Sequence, residues 1–563
     1  MNDVCDGSSP RTRRLLVAAL LFAIFVAALL PRALGTEFGL PYLHHWDEPI
    51  SASAGLKMLK TGDFEPDIFS YPSVLTYLCL GCDVVHYFDL ALEEKDGRQV
   101  LTAPRDIKIG SDTGFFWDIS HPSFYRWNRV MVAFLGALSV FLVHELTRSF
   151  SGKTSGLLAA LLLAGFFPHM LHSRVVTPDG PMALFALAAL LFAVRFTRTG
   201  HGRYYYLSLA GAGVAMGTKY TAFMLIASPL VALLFRWPRS ATVRGVRVIS
   251  LLAVPLAVFL LTNPFVLARF PLFIQQVTFE AFHYKVMGHA ADSATPGLAH
   301  LRLQLGRMGD HISWPFFAAA VLGAMVLVRR RGGAVFLVSP LLYLYYLCQQ
   351  KVGFHRNFII IYPVLAVCTG VGCMFLFRRL AAVTSHRRAA RVGAAALGAL
   401  VAVLVGFQQV RVWKSMAAAL QYRETRSDLI DWLNTEATKR PLRVGIAREL
   451  RIHEQDLRRL KADHEVLPHP LLLARASEFD YLAAGEYACS HIDLVKRVNN
   501  LNALTPKDRV VTVLERPPSE GMVFPQDQNH RAMDAAATTY LDTFSINPKV
   551  LILRGRQPEP GDR

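Results

Sequence analysis

The stretch RTRRLLVAALLFAIFVAALL, residues 11–30, places three arginines directly before an apolar run. Together with the residues that follow, this run is long enough to cross the hydrocarbon core of a bilayer as a helix. The basic start is typical of a secretory signal peptide, but the small-residue cleavage signal is poor and many apolar runs follow. We therefore predict an uncleaved first membrane span over 15–34.

The composition of the whole chain indicates a membrane protein. Hydrophobic residues make up 53% of the 563 residues and only 18% are charged, whereas soluble domains carry about 25% charged residues. The formal net charge of +18 is also found in nucleic-acid-binding proteins, but here the basic residues cluster in short loops between apolar runs. Since the sequence has no nucleic-acid-binding motif, no nucleic acid is expected as a partner.

The remaining apolar runs predict a polytopic α-helical membrane protein. About eleven segments approach the length that a span requires. The shortest of them, near residues 204–235, are the weakest candidates. The predicted spans are 15–34, 127–147, 155–171, 181–197, 204–218, 220–235, 248–266, 312–328, 333–349, 357–377 and 391–410.

The loops between these spans alternate in charge. Six basic clusters with almost no acidic residues fall on one side, which the positive-inside rule assigns to the cytoplasm, together with the N-terminus. These clusters are Arg11/Arg13/Arg14, Arg148/Lys153, Arg198/Arg203, Arg236/Arg239/Arg244/Arg247, Arg329/Arg330/Arg331 and Arg378/Arg379/Arg387/Arg388. The extracytoplasmic side receives the loops 35–126, 172–180, 267–311 and 350–356 and the region after 411.

The region 411–563 has the composition of a soluble domain. Short strand-like segments alternate with helical ones, which predicts a small extracytoplasmic α/β domain after a membrane domain over 1–410. No glycine-rich nucleotide-binding motif occurs in this region. The predicted strands are Val444–Ala447, Tyr481–Ala483, Val510–Leu514 and Val550–Leu553, and the predicted helices are Leu450–Leu460 and Ser490–Leu501.

The first extracytoplasmic loop contains a C-x-x-C pair, Cys79 and Cys82. The segment lacks the strand–helix context of a redox motif, and no second pair completes a zinc site. We therefore favour two packed thiols on a helix over a disulfide. The preceding residues 72–78 predict a helix at the membrane interface, and the polar residues 93–118 predict a loop insertion.

Acidic residues occur at two places on the extracytoplasmic side. Asp47 and Glu48 lie in HHWDEP, residues 44–49, just after the first span, and Asp179 begins the fourth span. Carboxylates at a membrane surface are costly unless they are solvated, paired or functional, and one of them can act as a general base. A solvated loop start explains Asp47 and Glu48 equally well, and Asp179 also suits a helix N-terminus.

Two cations share this side with the acidic residues. Lys219 lies between the fifth and sixth spans, and Arg356 precedes the tenth. Snorkelling of the lysine and anchoring of a helix end by the arginine are the alternatives to phosphate binding. Taken together, a base and two cations on the side away from nucleoside triphosphates indicate displacement of a sugar from a lipid-carried phosphate.

These motifs resemble those of the GT-C membrane glycosyltransferases. The nearest groups are glycosyltransferase family 39, the dolichyl-phosphate-mannose protein mannosyltransferases and the aminoarabinose transferases. The likeness runs from about 15 to 410, and the order and spacing of its motifs carry it. The motifs are Trp46-Asp47-Glu48, Phe69–Ser73, Tyr125–Arg129, Ser173–Asp179, Gly217–Tyr220 and Arg356–Pro363.

The resemblance implies an inverting transfer of a sugar from a polyprenyl-phosphate donor to a protein, lipid or glycan acceptor, in contact with membrane lipids. Asp47 would be the catalytic base, with Glu48 beside it. Asp179 would organise the acceptor or a metal ion. Lys219 and Arg356 would contact the donor phosphate.

The resemblance also implies several secondary roles. Tyr362 would assist at the phosphate, because the family often has an Arg-Tyr pair where this chain has Arg356-Asn357. Some family members use a divalent cation such as Mg or Mn, for which Asp47, Glu48 and Asp179 would be the ligands, and no other cofactor is expected. Weaker site candidates are His121, Arg174 and His355. The loop residues Glu280, His283, His289 and Asp292 are of metal-ligand type, although an interfacial helix is the favoured interpretation.

Two other classes of protein stay open from the sequence. A transporter or flippase of lipid-linked sugars usually has repeated halves and charges near the membrane midplane, and the sequence shows neither. A scaffold subunit of an envelope complex would bind partners through the C-terminal domain. In each case the expected location is the cell inner membrane, with multiple spans.

Overall fold

The apolar runs fold as helices because a helix satisfies every backbone hydrogen bond within its own segment, as lipid requires. The computed structural model describes residues 10–43, 45, 47–66, 68–90, 93–95, 98–100, 103–107, 109, 121–289, 293–383, 387–485, 510–514 and 550–555. The chain divides into two units. The helical unit comprises Met1–Thr36, Asp47–Pro104 and Phe124–Met416, and the sheet unit comprises Glu37–Trp46, Arg105–Ser123 and Ala417–Arg563.

Helices form almost all of the helical unit. Its α-helices are α1 (Pro10–Ala33), α2 (Glu48–Thr61), α3 (Val74–Leu90), α4 (Pro122–Ser151), α5 (Lys153–Gly165), α6 (Phe167–His172), α7 (Asp179–Thr199), α8 (Gly202–Thr218), α9 (Ala227–Phe235), α10 (Ala241–Thr262), α11 (Phe265–Ala268), α12 (Phe270–Phe282), α13 (Leu298–Ile312), α14 (Trp314–Val328), α15 (Arg331–Cys348), α16 (Ile361–Val383) and α17 (Arg387–Leu420). A π-helix covers His283–Met287, and 3-10 turns cover Pro104–Asp106, Tyr220–Ile226 and His355–Phe358.

The predicted spans are helical over most of their length, but they differ in how far they reach. Among the described residues, seven helices are long and apolar enough to cross a membrane, or eight if α13 and α14, bent by 116°, are taken as one span. The predicted span 155–171 is divided because Phe166 is extended and Pro168 opens a new helix. The structure thus has seven or eight candidate spans, fewer than the eleven predicted.

Helices α14 and α16 approach each other closely because glycines lie at their crossing. A Cβ atom on Gly323 would collide with the carbonyl of Cys368, and one on Gly372 would collide with the carbonyl of Ala319. Small residues of this kind allow helix backbones to pack directly against each other in membrane proteins. Helix α16 follows the turn that carries Arg356. The crossing therefore fixes the position of the helix next to that turn.

The first loop differs in part from the prediction. Cys79 and Cys82 are free thiols on α3, as favoured from the sequence. The segment predicted as a loop insertion contains a two-stranded antiparallel sheet, β1 (Glu93–Lys95) and β2 (Arg98–Val100). The two strands pair locally across two intervening residues, but their polar side chains are not of the types that favour strands.

Among the described residues, the sheet unit is built around the strands β3 (Arg443–Ala447), β4 (Asp463–Leu467), β5 (Tyr481–Gly485), β6 (Val510–Leu514) and β7 (Val550–Arg554). Their order in the sheet is β4-β3-β5-β7-β6. Strands β3, β4 and β5 are parallel, whereas β7 runs antiparallel to both β5 and β6. The α-helices are α18 (Thr425–Ala437), α19 (Glu454–Arg459) and α20 (His469–Ala474), with 3-10 turns at Arg448–Leu450 and Ala476–Glu478.

The sequence located four of these five strands. Strand β4 was not predicted, because Asp463-His464-Glu465 is polar and the strand lies at the edge of the sheet. The predicted helix over Leu450–Leu460 is shorter and begins at Glu454, where the ring of His453 accepts the Gln455 N–H. The predicted helix Ser490–Leu501 lies outside the described residues.

Residues 37–46, which precede Asp47 in the chain, belong to the sheet unit. Within that unit the hydroxyl of Tyr42 donates to Asp456 Oδ2 at 2.8 Å and accepts the backbone N–H of His453 at 3.1 Å. The guanidinium of Arg426 lies 4.1 Å from the centroid of the Tyr42 ring. These contacts hold the segment on the C-terminal part of the chain.

The glycine crossing of α14 and α16 gives a stability prediction. Gly323→Ala should lower the unfolding free energy by about 1–3 kcal/mol, because the added methyl group overpacks a helix contact. Thermal unfolding in detergent measures the change. Gly393→Ala is the matched control, since a Cβ there meets open space, and equal destabilisation by both variants would contradict the proposed packing constraint.

Candidate active site

Asp47 lies immediately before α2 and forms the first acid–cation pair of the site. Its Oδ2 atom is 2.9 Å from Nη2 of Arg356 and accepts the hydroxyl of Tyr71 at 3.2 Å. About 15% of the Asp47 side chain and 16% of the Arg356 side chain remain exposed. The pair is therefore open enough to exchange partners, unlike the fully buried ion pair described below.

Asp179 and Lys219 form the second pair. The Lys219 ammonium donates to Asp179 Oδ1 at 2.6 Å and to Asn357 Oδ1 at 2.7 Å. Because Asn357 follows Arg356 in the chain, the turn His355–Phe358 carries a partner for each pair. Four residues predicted from the sequence, Asp47, Asp179, Lys219 and Arg356, are thus brought together in the helical unit.

Asn357 and Tyr71 are site residues to which the sequence analysis assigns no role. Asn357 stood out only as a departure from the Arg-Tyr pair of the family, and Tyr71 lay within the family-like stretch Phe69–Ser73. An asparagine or a tyrosine in a loop carries no charge to draw attention to it. Their roles follow from the hydrogen bonds that they make to Lys219 and Asp47.

Electrostatic interactions join the two pairs into one cluster. Burial alone would lower the pKa of Arg356, but the carboxylates of Asp47 and Asp179 and the hydroxyls of Tyr71 and Tyr284 raise it above its ordinary value. Burial and the nearby Asp47 raise the pKa of Tyr71. Arg356 therefore stays cationic and Tyr71 stays a neutral donor.

Glu48, predicted beside the base, is fully buried and committed to a structural contact. Its two oxygens accept Nε and Nη2 of Arg129 at 2.8 and 2.7 Å, and Oε1 also accepts the backbone N–H of Val176 at 3.0 Å. Arg129 is likewise buried and donates to the carbonyl of Thr36. This geometry favours a positioning role for Glu48 over proton transfer.

Tyr362 and His355 make their hydrogen bonds away from the acid–cation pairs. The Tyr362 hydroxyl lies 2.6 Å from Nε2 of His355 and 2.7 Å from Nδ1 of His311. Nδ1 of His355 lies 2.8 Å from Oε1 of Gln304. The structure therefore places neither side chain against Lys219 or Arg356, where the sequence reading put Tyr362.

Arg174, another of the weaker candidates, makes hydrogen bonds to backbone carbonyls. Arg174 is buried, and its Nη2 atom donates to the carbonyls of Gly35 at 3.2 Å and Leu34 at 3.4 Å, the two residues directly after α1. These hydrogen bonds to backbone carbonyls account for a buried guanidinium at this position. His121 precedes α4 and belongs to the sheet unit, so its suggested role stays a prediction.

A polar rim continues from Arg356 along the loop after α12. The Arg356 guanidinium lies 4.2 Å from the ring centroid of Phe354, and that ring is 4.8 Å from the ring of His289. His289 Nδ1 is 3.3 Å from His283 Nε2, and His283 Nδ1 is 3.5 Å from Glu280 Oε2. Burial raises the pKa of Glu280 and lowers that of His289.

The carboxylates predicted as metal ligands do not converge. Asp47 is held by Arg356, Glu48 by Arg129, and Asp179 by Lys219. Within the described ranges, no group of three or more histidine, cysteine, aspartate or glutamate side chains is arranged to hold a metal ion. These residues, as placed, do not fit a divalent cation, and Asp292 lies outside the described residues.

The chain matches known proteins both in part of its sequence and in its fold. Residues 126–264 match the family model described as dolichyl-phosphate-mannose-protein mannosyltransferase. ArnT from Cupriavidus metallidurans, solved with undecaprenyl phosphate, has a similar fold at 12% identity and a TM-score of 0.50, covering 98% of this chain and 100% of ArnT. The resemblance read from the sequence is confirmed.

Further solved structures align over smaller parts. AglB, the oligosaccharyltransferase of Archaeoglobus fulgidus, aligns at 11% identity and a TM-score of 0.46 over 84% of this chain and 70% of its own. The arabinosyltransferase EmbB of Mycobacterium smegmatis aligns at 12% identity and a TM-score of 0.45 over 75% and 42%. No curated protein matches the sequence significantly.

The contrast between Asp47 and Glu48 gives a second prediction. Glu48→Gln should lower stability by about 3–5 kcal/mol, because it leaves the buried Arg129 without its charge partner. Asp47→Asn should lower stability by less than Glu48→Gln does, because the Asp47–Arg356 pair keeps some access to solvent. Thermal unfolding of both variants in detergent measures the difference, and a stable Glu48→Gln protein would contradict the structural role.

Proposed function

We propose that this protein is an inverting glycosyltransferase that moves a sugar from a polyprenyl-phosphate donor to a protein, lipid or glycan acceptor. The observation that carries the proposal is the joining of Asp47–Arg356 and Asp179–Lys219 in one cluster of a GT-C fold. A carboxylate base and two phosphate-binding cations are the groups that this reaction needs.

In the proposed reaction Asp47 accepts the proton of the acceptor nucleophile. The nucleophile attacks the anomeric carbon on the face opposite the phosphate, and the bond between that carbon and the phosphate oxygen breaks. The lipid phosphate leaves with the electron pair of that bond, and configuration at the anomeric carbon is inverted. Charge develops on the phosphate as the bond breaks, so cations placed there lower the barrier.

Arg356 and Lys219 are suited to this role because each already binds an anion. Both cations have carboxylate partners, and a phosphate offers the same charge and lone pairs. The planar guanidinium of Arg356, oriented by Phe354, can bind two phosphate oxygens. Transfer of Arg356 from Asp47 to the phosphate would release an oxygen of the base for the incoming proton.

Other groups of the cluster would set the geometry of the reaction. Asp179 keeps Lys219 in place and would help to orient the acceptor. The buried Glu48–Arg129 pair holds the backbone on either side of the base, and Tyr71 orients the Asp47 carboxylate. Since the carboxylates do not fit a metal ion, these side chains account for every step proposed.

The lipid donor is supported by fold and by charge. ArnT, of similar fold over its whole length, was solved bound to undecaprenyl phosphate. A sugar donor on the extracytoplasmic face must arrive already activated on a lipid, because nucleotide sugars are cytoplasmic. We therefore extend the proposal to a multi-pass inner-membrane protein with a cytoplasmic N-terminus and an extracytoplasmic C-terminal α/β domain.

Asp47→Asn should reduce sugar transfer by about 10²–10⁴-fold, because the amide cannot accept the proton of the acceptor. The assay uses purified protein in detergent with a panel of radiolabelled polyprenyl-phosphate sugars, with and without a divalent chelator. Asp63→Asn, at an exposed loop position, is the matched control and should retain activity. Near-normal transfer by Asp47→Asn would remove Asp47 from the reaction.

The same panel tests the class of activity. Transfer by the wild-type protein names the sugar, and its response to the chelator shows whether a metal ion takes part. Donor binding or movement across vesicles without transfer to any acceptor would favour a flippase instead.

Lys219→Ala and Arg356→Ala should each weaken lipid-phosphate binding by about 1.5–3 kcal/mol, the range for a hydrogen bond to a charged group. Binding of undecaprenyl phosphate to the detergent-solubilised protein gives the dissociation constants. Arg302→Ala, on the exposed face of α13, is the control for loss of a positive charge. Unchanged affinity in both test variants would place the phosphate elsewhere.

A further inference from the structure

The turn His355–Phe358 presents neighbouring side chains in opposite directions. Arg356 and Asn357 contact Asp47 and Lys219, whereas His355 contacts Gln304 of α13 and Tyr362 of α16. His355, Gln304 and Tyr362 are all buried. The position of Arg356 thus depends on how the adjacent His355 is held.

Gln304 is the central residue on the α13 side. Its side-chain amide donates to the carbonyl of Gly353 at 3.1 Å and to Nε2 of His300 at 3.2 Å, and its oxygen faces Nδ1 of His355 at 2.8 Å. Gln304 therefore binds both the backbone before Arg356 and the side chain beside it. Arg307, one turn further along α13, reaches the same carbonyl at 3.4 Å.

The hydrogen bonds assign a direction to the whole network. The Gln304 amide accepts from His355 Nδ1–H, so His355 Nε2 must accept from the hydroxyl of Tyr362. The oxygen of Tyr362 then accepts from His311 Nδ1–H. At the other end, His300 accepts from Gln304 through Nε2 and donates through Nδ1 to the carbonyl of Gln350 at 3.1 Å.

This arrangement requires a neutral His355. A proton on His355 Nε2 would make this nitrogen a donor that faces the hydrogen of the Tyr362 hydroxyl. The hydroxyl of Tyr362 would then have to donate to His311 Nδ1 instead of accepting from it. Burial, together with the neighbouring His311 and Arg307, keeps the pKa of His355 well below its ordinary value. In a low-dielectric interior a fully satisfied network of this kind is rigid, and loss of one member leaves others unpaired.

We propose that Gln304 and Tyr362 are positioning residues, which act through His355 to hold the Arg356 guanidinium where it binds the donor phosphate. The inference rests on the proposed function, because it concerns the lipid-phosphate site. It replaces the sequence-based role of Tyr362 as a phosphate ligand with an indirect one. It also gives a role to α13, from which the sequence predicted no site residue.

The first test compares Gln304→Met and Tyr362→Phe, which keep side-chain size and remove hydrogen bonds. Each should weaken binding of undecaprenyl phosphate by about tenfold, the effect of one lost buried hydrogen bond. Binding of undecaprenol, which lacks the phosphate, should not change. Gln349→Met is the matched control, because Gln349 is an exposed glutamine directly after α15. This variant should bind like the wild type.

A double-mutant cycle separates positioning from a general effect on folding. In an Arg356→Ala background, Gln304→Met and Tyr362→Phe should each alter undecaprenyl phosphate affinity by less than about twofold, because the residue through which they act is gone. The same tenfold loss in that background would overturn the proposal. Unchanged affinity in the single variants, even with lower thermal stability, would overturn it too.

Three further outcomes are distinct. Weaker binding by Tyr362→Phe but not by Gln304→Met would make Tyr362 a direct ligand and would also overturn the positioning role. If Gln304→Met does not fold, Tyr362→Phe and its cycle with Arg356→Ala decide the question alone. Failure of the wild-type protein to bind undecaprenyl phosphate would instead count against the proposed function.

Discussion

The candidate site depends on the buried ion pair between Glu48 and Arg129. Two charges withdrawn from solvent are stable only when their hydrogen bonds are complete, and here the pair also binds the carbonyl of Thr36 and the N–H of Val176. These contacts connect the start of α2, the last residue of the motif Tyr125–Arg129 on α4 and the loop before Asp179. The backbone that carries Asp47 and the backbone that carries Asp179 are thereby fixed relative to each other.

The acid–cation pairs of the candidate site lie around this fixed pair, and their charged groups can exchange one ionic partner for another. Asp47 and Arg356 remain partly exposed, whereas Glu48 and Arg129 are completely buried. Both cations of the site lie where helices are interrupted, Lys219 between α8 and a 3-10 turn and Arg356 in the turn before α16. Non-helical backbone in a membrane protein is tolerated where it faces protein or a polar cavity.

The support proposed for Arg356 is a polar network built on α13, α16 and the turn His355–Phe358. The side chains of this network hydrogen-bond to one another, and they are His300, Gln304, His355, Tyr362 and His311. The Gln304 amide also binds the backbone carbonyl of Gly353. Neutral hydrogen bonds of this kind add rigidity without adding charge. The charge of the candidate site therefore comes from the two acid–cation pairs, while its shape also depends on hydrogen-bonded neighbours.

The sequence by itself determined the helical segments, the resemblance to GT-C enzymes and the set of Asp47, Asp179, Lys219 and Arg356. Apolar length and loop charge are local properties, and their alternation puts those four residues on one side. Only the tertiary structure decided that Glu48 is buried against Arg129, that Asn357 binds Lys219 and that Tyr362 and Arg174 face other partners. The physical reason is that a hydrogen-bond partner is chosen by packing between distant segments, which neither residue type nor spacing encodes.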